Sequence, residues 1–320
     1  MDLSFLNGIN ISIITNAPLN QYTTFRLGGN CPALIECPDA STLIKTVLRL
    51  RKYYHPFLLM GFGSNILASD TGINKIVLRF NNEMPQFKRE GNLIVADAAN
   101  HLDNLTQYAA EQGLEGLSQI CGIPGTIGGA IAGNAGAYGQ QISDHLSAVT
   151  ILKPDNTIVR IPKTAIRFDY RDSDFKHNDD IILTAEFALN PIKDTASLQA
   201  ERTEILKTRP CNINLWKDVP CAGSFFRNVD PTSKAGQRQS AGWFLDHAGC
   251  KTLNINGAHA YTQHANIITR DEGTTAQSVY DLTTEMINMV KDKFKITLVR
   301  EVRLLGKFEN APECKIDNYW

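Results

Sequence analysis

The sequence predicts an α+β protein with more than one domain. At 320 residues the chain exceeds the usual size of a single domain. Short apolar runs that are typical of strands alternate with longer segments whose apolar residues follow the helical period. A glycine-dense stretch, residues 113–139, interrupts this alternation and holds nine of the 23 glycines. Together these observations favour strands and helices arranged around one specialised loop.

The first part of the chain predicts short buried strands with one helix between them. Apolar Leu43, Val47 and Leu50 share one helical face in a helix predicted over 41–53, and Asp39 or Ser41 can cap it. A second helix is predicted over 101–112, with Gly113 as its C-cap. The predicted strands are 33–37, 57–60, 75–80 and 93–96.

The remainder of the chain predicts a hairpin, three helices and two further strands. Two apolar runs, 146–152 and 157–161, flank Pro154-Asp155-Asn156 and indicate the hairpin. Residues 275–293 carry an apolar stripe of Val279, Leu282, Met286, Met289 and Val290, which indicates core packing. The other predicted elements are a strand over 181–189, helices over 197–208 and 241–248, and a strand over 298–305.

The composition is that of a soluble globular protein, with 43% hydrophobic and 20% charged residues. A net charge of −1 argues against nucleic acid or an anionic membrane as partner. No apolar run is long enough to span a bilayer, and we expect no signal peptide at the N-terminus. Seven cysteines without a Cys-x-x-Cys pair predict neither a disulfide framework nor a zinc site, and a reducing cytoplasm fits best.

The glycine-dense stretch reads GLEGLSQICGIPGTIGGAIAGNAGAYG. So many glycines argue against an ordinary helix or strand, because each interior glycine costs about 0.5–1 kcal/mol relative to alanine. Small residues with free backbone N–H groups suit phosphate oxygens, so residues 125–129 are a candidate diphosphate cradle. No Gly-Lys-Ser/Thr follows, which excludes the P-loop pattern. A long structural turn is the alternative.

A second glycine-rich loop, Gly61-Phe62-Gly63-Ser64-Asn65, directly follows a predicted buried strand. It offers backbone N–H groups and short side-chain donors at one place. A Gly-x-Gly alone is equally compatible with a plain turn, but together with residues 113–139 it favours a nucleotide site.

Few residues remain as candidates for chemistry. The histidines are scattered without His-Glu-x-x-His, and Gly-x-Ser-x-Gly does not occur, so metalloprotease and serine-hydrolase chemistry lack support. The candidates are the pair Tyr170 and Arg171, then Ser224, then Glu301. Taken singly, Arg171 could be a surface ion-pair residue, Ser224 a turn residue and Glu301 a solvated strand residue.

Taken in order, the motifs resemble one family. YTTFRLGG, GFGSNIL, GIPGTIGGAIAGNAGAYG, YRDSDFK, GSFFRN, HANIITR and EVRLLG together resemble the UDP-N-acetylenolpyruvoylglucosamine reductases, also called UDP-N-acetylmuramate dehydrogenases. The short spacing from Arg171 to Ser224 resembles the compact form that lacks an extra tyrosine-bearing loop. The chain departs from the family at Val229, where proline is common, and at Thr252, where glycine is common.

The resemblance implies a two-part FAD-binding module of the vanillyl-alcohol-oxidase type followed by a smaller α/β substrate-binding domain. We expect FAD-binding subdomains at 1–80 and 81–208, the substrate domain at 209–306, and a tail at 307–320. The predicted FAD-binding residues, for one FAD held non-covalently, are Gly61, Gly63, Ser64, Asn65, Ile66, Gly122, Ile123, Pro124, Gly125, Thr126, Gly128, Gly129, Asn134, Gly136 and Ala137.

The resemblance also implies a reaction in peptidoglycan precursor synthesis. Hydride passes from NADPH through FAD to the enolpyruvyl group of the UDP-sugar, forming UDP-N-acetylmuramate. Arg171 and Glu301 hold the charge that develops on the carboxylate, and Ser224 delivers the proton. Substrate-binding roles are implied for Tyr170, Arg227, Asn228 and His264. We expect a cytoplasmic bacterial monomer with no metal.

Two other functions stay open at this point. Another FAD-dependent oxidoreductase acting on an alcohol or a sugar would keep both glycine-rich loops without needing Arg171, Ser224 and Glu301 together. A non-catalytic nucleotide-binding protein would keep the loops and lose the chemistry.

Overall fold

A four-stranded sheet forms the first part of the molecule. A computed structural model of the chain describes residues 1–192, 194–209, 215–231 and 237–311. Asp39 is the N-cap of helix Ala40–Lys52, and its carboxylate accepts a hydrogen bond from the Thr42 N–H at 2.7 Å. The first two strands along the sheet pair antiparallel and the others pair parallel. In spatial order the strands are Ser12–Pro18, Asn30–Cys37, Ile76–Phe80 and Phe57–Met60.

An antiparallel five-stranded sheet forms the second part. Helices Leu102–Glu111 and Thr195–Thr208 pack against each other beside it. In spatial order the strands are Ile158–Pro162, Leu146–Leu152, Ile181–Ala188, Leu93–Asp97 and Phe87–Glu90. Two-residue strand pairs lie around it, namely Gly136–Ala137 with Gln140–Gln141, Phe168–Asp169 with Asp172–Ser173, and Leu114–Glu115 with Asn190–Pro191.

The last third of the chain builds a separate small sheet with two helices. Helix Ala276–Phe294 buries Val279, Leu282, Met286 and Val290, so the predicted apolar stripe packs in the core, with Met289 half-buried. Helix Ala241–Ala248 ends at Gly249, whose φ of 86° places it in the left-handed region. The strands of this sheet are Asn254–Ile255, Ala258–Tyr261 and His264–Arg270.

The C-terminal part is tied to the N-terminal part of the chain by backbone and side-chain contacts. Strand Arg303–Leu305 pairs in parallel with Ile66–Ala68, the strand that follows the first glycine-rich loop. The Thr24 hydroxyl donates to the Cys221 carbonyl at 2.7 Å. One apolar cluster therefore contains N-terminal side chains packed with C-terminal ones, the former being Phe25, Leu27 and Leu67.

The five predicted helices are confirmed, with ends within two residues of the predicted positions. The expectation that the glycine-dense stretch holds no helix is wrong, because Ile127–Ala132 is helical. The Thr126 hydroxyl accepts a hydrogen bond from the Gly129 N–H at 3.3 Å and caps this helix. Ile127 and Ile131 are fully buried, so tertiary packing compensates for the entropy of the glycines.

The predicted strand over 298–305 is wrong over most of its length, because only Arg303–Leu305 is a strand. The residues before it pair instead with the Ser224 segment. The Glu301 N–H donates to the Phe225 carbonyl at 2.8 Å, and the Arg227 N–H donates to the Val299 carbonyl at 2.9 Å. This pairing brings Glu301 beside the GSFFRN motif.

Among the described residues, no helix has the length and apolar character needed to cross a membrane. The predicted tail is described only as far as residue 311, and positions 312–320 lie outside the described residues. Another short helix, Leu215–Asp218, directly precedes the last third of the chain.

Candidate active site

A cavity of about 710 Å³ lies where the three parts of the molecule meet. The two glycine-rich segments, residues 61–66 and 123–141, line one wall. Charged and polar side chains from later in the chain line an adjoining part of the cavity, the charged wall. Of the predicted FAD-binding residues, those on the cavity wall are Gly61, Gly63, Ser64, Asn65, Ile66, Ile123, Pro124, Gly125, Thr126, Gly129, Gly136 and Ala137.

The two glycine-rich loops are held against each other. The Ser64 hydroxyl donates to the Pro124 carbonyl at 2.7 Å. A Cβ atom on Gly61 would lie 2.4 Å from the Thr126 hydroxyl oxygen, so the loops approach too closely for any side chain at that position. Gly63 has a φ of 75°, and a Cβ there would lie 2.2 Å from the Tyr22 carbonyl oxygen. Glycine is therefore required at Gly61 for packing, and at Gly63 for packing as well as for conformation.

The first loop presents unused backbone donors. In the part of the chain that the structure describes, the N–H groups of residues 62–65 donate no hydrogen bond. The loop borders the cavity together with small residues of the second loop. Free N–H groups in a concave backbone suit phosphate oxygens. The residues present therefore fit the diphosphate of FAD.

Tyr170 and Arg171 form the tip of a two-residue hairpin between Phe168–Asp169 and Asp172–Ser173. Arg171 has a φ of 56°, a left-handed conformation that is rare for a side chain of this size. Its Nε atom lies 3.2 Å from a carboxylate oxygen of Glu301. The other guanidinium nitrogens donate to the backbone carbonyls of Asn134, at 3.4 Å, and Gly136. Backbone strain at a cavity wall indicates a functional constraint.

Glu301 contacts both Arg171 and the first glycine-rich loop. Its side chain is 19% exposed, and the Asn65 amide donates to its backbone carbonyl at 3.2 Å. Burial raises the pKa of Glu301, while the nearby cations Arg171, Lys176 and Arg227 act in the opposite direction. The carboxyl group thus lies at the point where the first glycine-rich loop meets the charged wall.

Ser224 is an exposed residue on the cavity wall. It lies between Gly223, whose φ is 73°, and the fully buried Phe225. The Phe225 N–H donates to the Asn266 carbonyl at 2.7 Å, and the Asn266 side chain accepts from the Phe226 N–H at 2.8 Å. These bonds fix the backbone next to Ser224, so the hydroxyl is presented to the cavity from a rigid support.

Three of the four predicted substrate-binding residues, Tyr170, Asn228 and His264, also line the cavity. The Tyr170 hydroxyl accepts a hydrogen bond from the Asn228 N–H at 3.3 Å. His264 Nδ1 accepts from the Asn266 N–H at 3.2 Å, and burial lowers the pKa of His264. A neutral His264 with its proton on Nε2 is therefore a hydrogen-bond donor at this wall.

Four predicted site residues lie behind the wall instead. The Gly122 N–H donates to the Asp103 carboxylate at 2.7 Å, and the Gly128 N–H donates to the Ala98 carbonyl at 2.9 Å. Because these donors already have partners, direct phosphate binding by Gly122 and Gly128 lacks support.

The other two of the four support neighbouring residues. Asn134 is fully buried, and its amide donates to the Asp169 carbonyl at 2.8 Å. Arg227 donates to the Arg171 carbonyl at 3.0 Å. The departure at Val229 also has a local partner, because its N–H donates to the Gln239 carbonyl at 2.9 Å, a bond that proline lacks.

The cavity-wall residues that sequence reasoning missed include Lys176, Arg303 and Trp216. Lys176 donates to the Arg171 carbonyl at 2.6 Å, and burial lowers its pKa to about 8. Burial also lowers the pKa of Arg303. A signal existed for Arg303, because residues two apart in extended chain share a face and it follows Glu301 by two. No pattern in the sequence indicates Trp216.

Two family models match the chain. Residues 32–162 match an FAD binding domain, and residues 214–305 match the C-terminal domain of UDP-N-acetylenolpyruvoylglucosamine reductase. The predicted order of an FAD-binding module followed by a smaller second domain is confirmed by these matches. FAD is accordingly the cofactor of the module whose loops line the cavity.

Comparisons over the whole chain agree with the family models. The UDP-N-acetylenolpyruvoylglucosamine reductase of Nostoc punctiforme is 32% identical over 319 residues, which cover 97% of this chain and 91% of the relative. The reductase of Solibacter usitatus is 32% identical over 312 residues, covering 93% and 98%. The crystal structure of the reductase from Thermus caldophilus superposes with a TM-score of 0.73 at 25% identity, covering 93% of this chain and 99% of that one. The chain therefore belongs to the UDP-N-acetylenolpyruvoylglucosamine reductase family.

Proposed function

We propose that this protein is an NADPH-dependent flavoenzyme that reduces the enolpyruvyl group of UDP-N-acetylenolpyruvoylglucosamine to give UDP-N-acetylmuramate. The observation that carries the proposal is the meeting of Arg171, Ser224 and Glu301 on the wall of the cavity that the FAD-binding loops also line. Another FAD-dependent oxidoreductase would not need these three side chains together. The names of the relatives support the same substrate.

Bound FAD would supply the hydride, received from NADPH, to the alkene carbon distal to the carboxylate. Negative charge then develops on the enolpyruvyl carboxylate, and donors already in place stabilise it. Arg171 suits this role because a guanidinium donates to both oxygens of a carboxylate. Glu301 suits it when protonated, and burial raises its pKa in that direction.

Ser224 is the proposed proton donor to the carbon that carries the carboxylate. A serine hydroxyl is a weak acid in water, so a relayed proton or a stabilised alkoxide is required. The cations of the charged wall, Lys176 and Arg303 among them, supply positive charge to the same cavity. Tyr170, Asn228 and His264 are the proposed substrate contacts, with Arg227 acting through the Arg171 carbonyl.

The proposal also covers the domains, the location, the oligomeric state and the partners of the protein. We assign FAD-binding subdomains to 1–80 and 81–208 and substrate binding to 209–306, with 307–320 as a tail. The boundary near 209 is supported by the apolar clusters, because one cluster spans residues 6–189 and a second draws most of its residues from 222–308. The protein acts as a cytoplasmic monomer on two small-molecule partners, the UDP-sugar and NADPH.

A spectral titration tests the function directly. The purified protein should be yellow, NADPH should bleach its flavin absorbance, and the enolpyruvyl substrate should restore it without oxygen. A simple alcohol or sugar serves as the control and should not restore the absorbance. Recovery by such a compound but not by the enolpyruvyl substrate would replace the proposal with another flavin-dependent activity. A colourless protein that does not take up FAD would exclude both.

A further inference from the structure

The backbone carbonyl of Arg171 accepts hydrogen bonds from two cations. The Lys176 ammonium donates to it at 2.6 Å, and the Arg227 guanidinium donates at 3.0 Å. These cations come from different parts of the chain. Lys176 ends the short 3₁₀ turn Asp174–Lys176 that follows the hairpin, and Arg227 belongs to the Ser224 segment. The contact therefore joins the FAD-binding half to the C-terminal part.

The main chain needs such support at Arg171. This residue is the second of two that connect the hairpin strands, and its φ is 56°. Glycine is favoured at this position of a two-residue turn because the left-handed region costs other residues of order 1–3 kcal/mol. Such a conformation persists only where surrounding contacts hold it.

The conformation of the backbone determines where the Arg171 side chain lies. Its guanidinium meets Glu301 at 3.2 Å and the carbonyls of Asn134 and Gly136. A change in the peptide that follows Arg171 would remove the carbonyl from both cations and redirect the side chain. We propose that Lys176 and Arg227 are positioning residues that clamp the Arg171 carbonyl and so aim its guanidinium at the substrate carboxylate. The role in activity rests on the proposed function, whereas the clamp itself does not.

The clamp lies in a region with excess positive charge. Around Lys176 the charged groups are Arg171, Arg227 and Arg303, with Glu301 and Asp172 as the acidic neighbours. Burial, followed by the repulsion of Arg227, lowers the pKa of Lys176 to about 8. Lys176 thus carries its full charge below pH 7 and loses it as the pH rises through 8. An anion bound in the cavity favours the charged form, so binding takes up a proton near pH 8.

Kinetics of the two half-reactions test the role in activity. We compare Lys176→Met and Lys176→Arg with the wild type, and Lys207→Met is the matched control because its side chain is 69% exposed. Reduction of the enolpyruvyl substrate should fall about tenfold to a hundredfold in Lys176→Met, since misplaced groups cost rates of that scale. NADPH should still bleach the flavin in this variant. The arginine variant should retain most of the substrate rate.

The pH profile separates positioning from a merely structural role. In the wild type, the substrate rate should decline above pH 8. The decline should disappear in Lys176→Met and move to higher pH in Lys176→Arg, because a guanidinium stays charged. Calorimetry at pH 8 in buffers of different ionisation enthalpy should show proton uptake on substrate binding, and Lys176→Met should lose it. A wild-type rate and profile in Lys176→Met would overturn the role in activity.

A double-mutant cycle tests the clamp without any substrate. Arg171→Ala and Arg171→Gly both lack the guanidinium and its contacts, but only glycine adopts a positive φ freely, so this pair isolates the strain that the clamp holds. Lys176→Met should lower the melting temperature of the FAD-loaded Arg171→Ala protein more than that of the FAD-loaded Arg171→Gly protein. Equal decreases in the two backgrounds would refute the clamp. A larger decrease in the strained background than in the glycine background, with no reduction of the enolpyruvyl substrate by the wild type, would retain the clamp and reject the proposed function.

Discussion

The two walls of the cavity are built on opposite principles. The glycine wall, built from residues 61–66 and most of 123–141, works mainly through small residues, and among the described residues the N–H groups of 62–65 are left free. The charged wall works through side chains, with Arg171, Lys176, Arg303 and Glu301 close together. A substitution in the first should fail through steric exclusion of FAD. A substitution in the second should leave FAD bound and impair reduction of the substrate.

The largest effect is expected for Ser224→Ala. If Ser224 donates the proton, product formation should fall by several powers of ten, whereas NADPH should still bleach the flavin. A turn residue would behave differently, because an exposed serine hydroxyl contributes only about 1 kcal/mol. Stopped-flow absorbance of the two half-reactions provides the measurement.

Ser240→Ala is the control, since Ser240 also lines the cavity but caps helix Ala241–Ala248 through the Trp243 N–H. It should lose stability and keep the proton transfer. Flavin reoxidation by substrate at full speed in Ser224→Ala would assign the proton to water or to another side chain.

The next effect concerns Arg171 and Glu301. Each alanine variant should lower the substrate rate about a hundredfold or more, because removing one preorganised donor costs about 2.7–4 kcal/mol. The double variant should lose less than the product of the single losses, since the two groups share one target and are 3.2 Å apart. Single-turnover rates of substrate reduction measure all three.

Glu301→Gln sharpens the assignment. An amide keeps a hydrogen-bond donor without the charge, so it should retain much of the rate if Glu301 acts in its protonated form. A loss as large as that of Glu301→Ala would indicate that the carboxylate pairing with Arg171 is the feature that matters. If both Arg171→Ala and Glu301→Ala work at the wild-type rate, neither group holds the developing charge.

The glycine wall is tested by a pair of glycines with similar backbone angles. Gly63 has a φ of 75° and Gly91 a φ of 61°, but a Cβ would meet the Tyr22 carbonyl oxygen at 2.2 Å only at Gly63. Gly91→Ala should cost about 1–2 kcal/mol of stability for its conformation alone. Gly63→Ala should cost roughly 2–5 kcal/mol, because overpacking adds to it, and should lose FAD.

Flavin content after gel filtration and urea unfolding measure both variants. Equal losses of FAD in the two would mean that close packing at Gly63 does not shape the site.

The comparison of the walls also explains what the sequence could predict. Glycine density marks backbone geometry, so the loops were found from residue type alone, and Arg171, Ser224 and Glu301 followed from family motifs. The predicted FAD-binding glycines include Gly122 and Gly128, whose N–H groups already have protein partners and for which packing is a second explanation. A Cβ on Gly122 would lie 2.5 Å from the Leu206 side chain. Lys176 was missed because its contact with the Arg171 carbonyl depends on the conformation of a local turn. A sequence pattern does not show which side chain such a turn brings to a backbone carbonyl.

The smallest effect concerns Asp97, which lies behind the glycine wall. Its carboxylate accepts from the Ala40 N–H at 3.2 Å and the Ala99 N–H at 3.3 Å. The residue after it, Ala98, accepts the Gly128 N–H. Burial raises the pKa of Asp97 to about 6, from an ordinary value near 4. Residues 61–66 of the glycine wall carry no charged side chain, but the backbone behind the wall is next to a carboxyl group that titrates.

The sign of the pH dependence follows from that shift. Between pH 4 and 6 the folded protein binds more protons at Asp97 than the unfolded chain, so this residue lowers the free energy of unfolding as the pH rises. The wild type should lose about 1–3 kcal/mol relative to Asp97→Asn between pH 4 and pH 7. Urea unfolding of both proteins at the two pH values measures the difference. Because asparagine does not titrate, any fixed cost of the substitution cancels, and parallel pH profiles would show that Asp97 has an ordinary pKa in the folded protein.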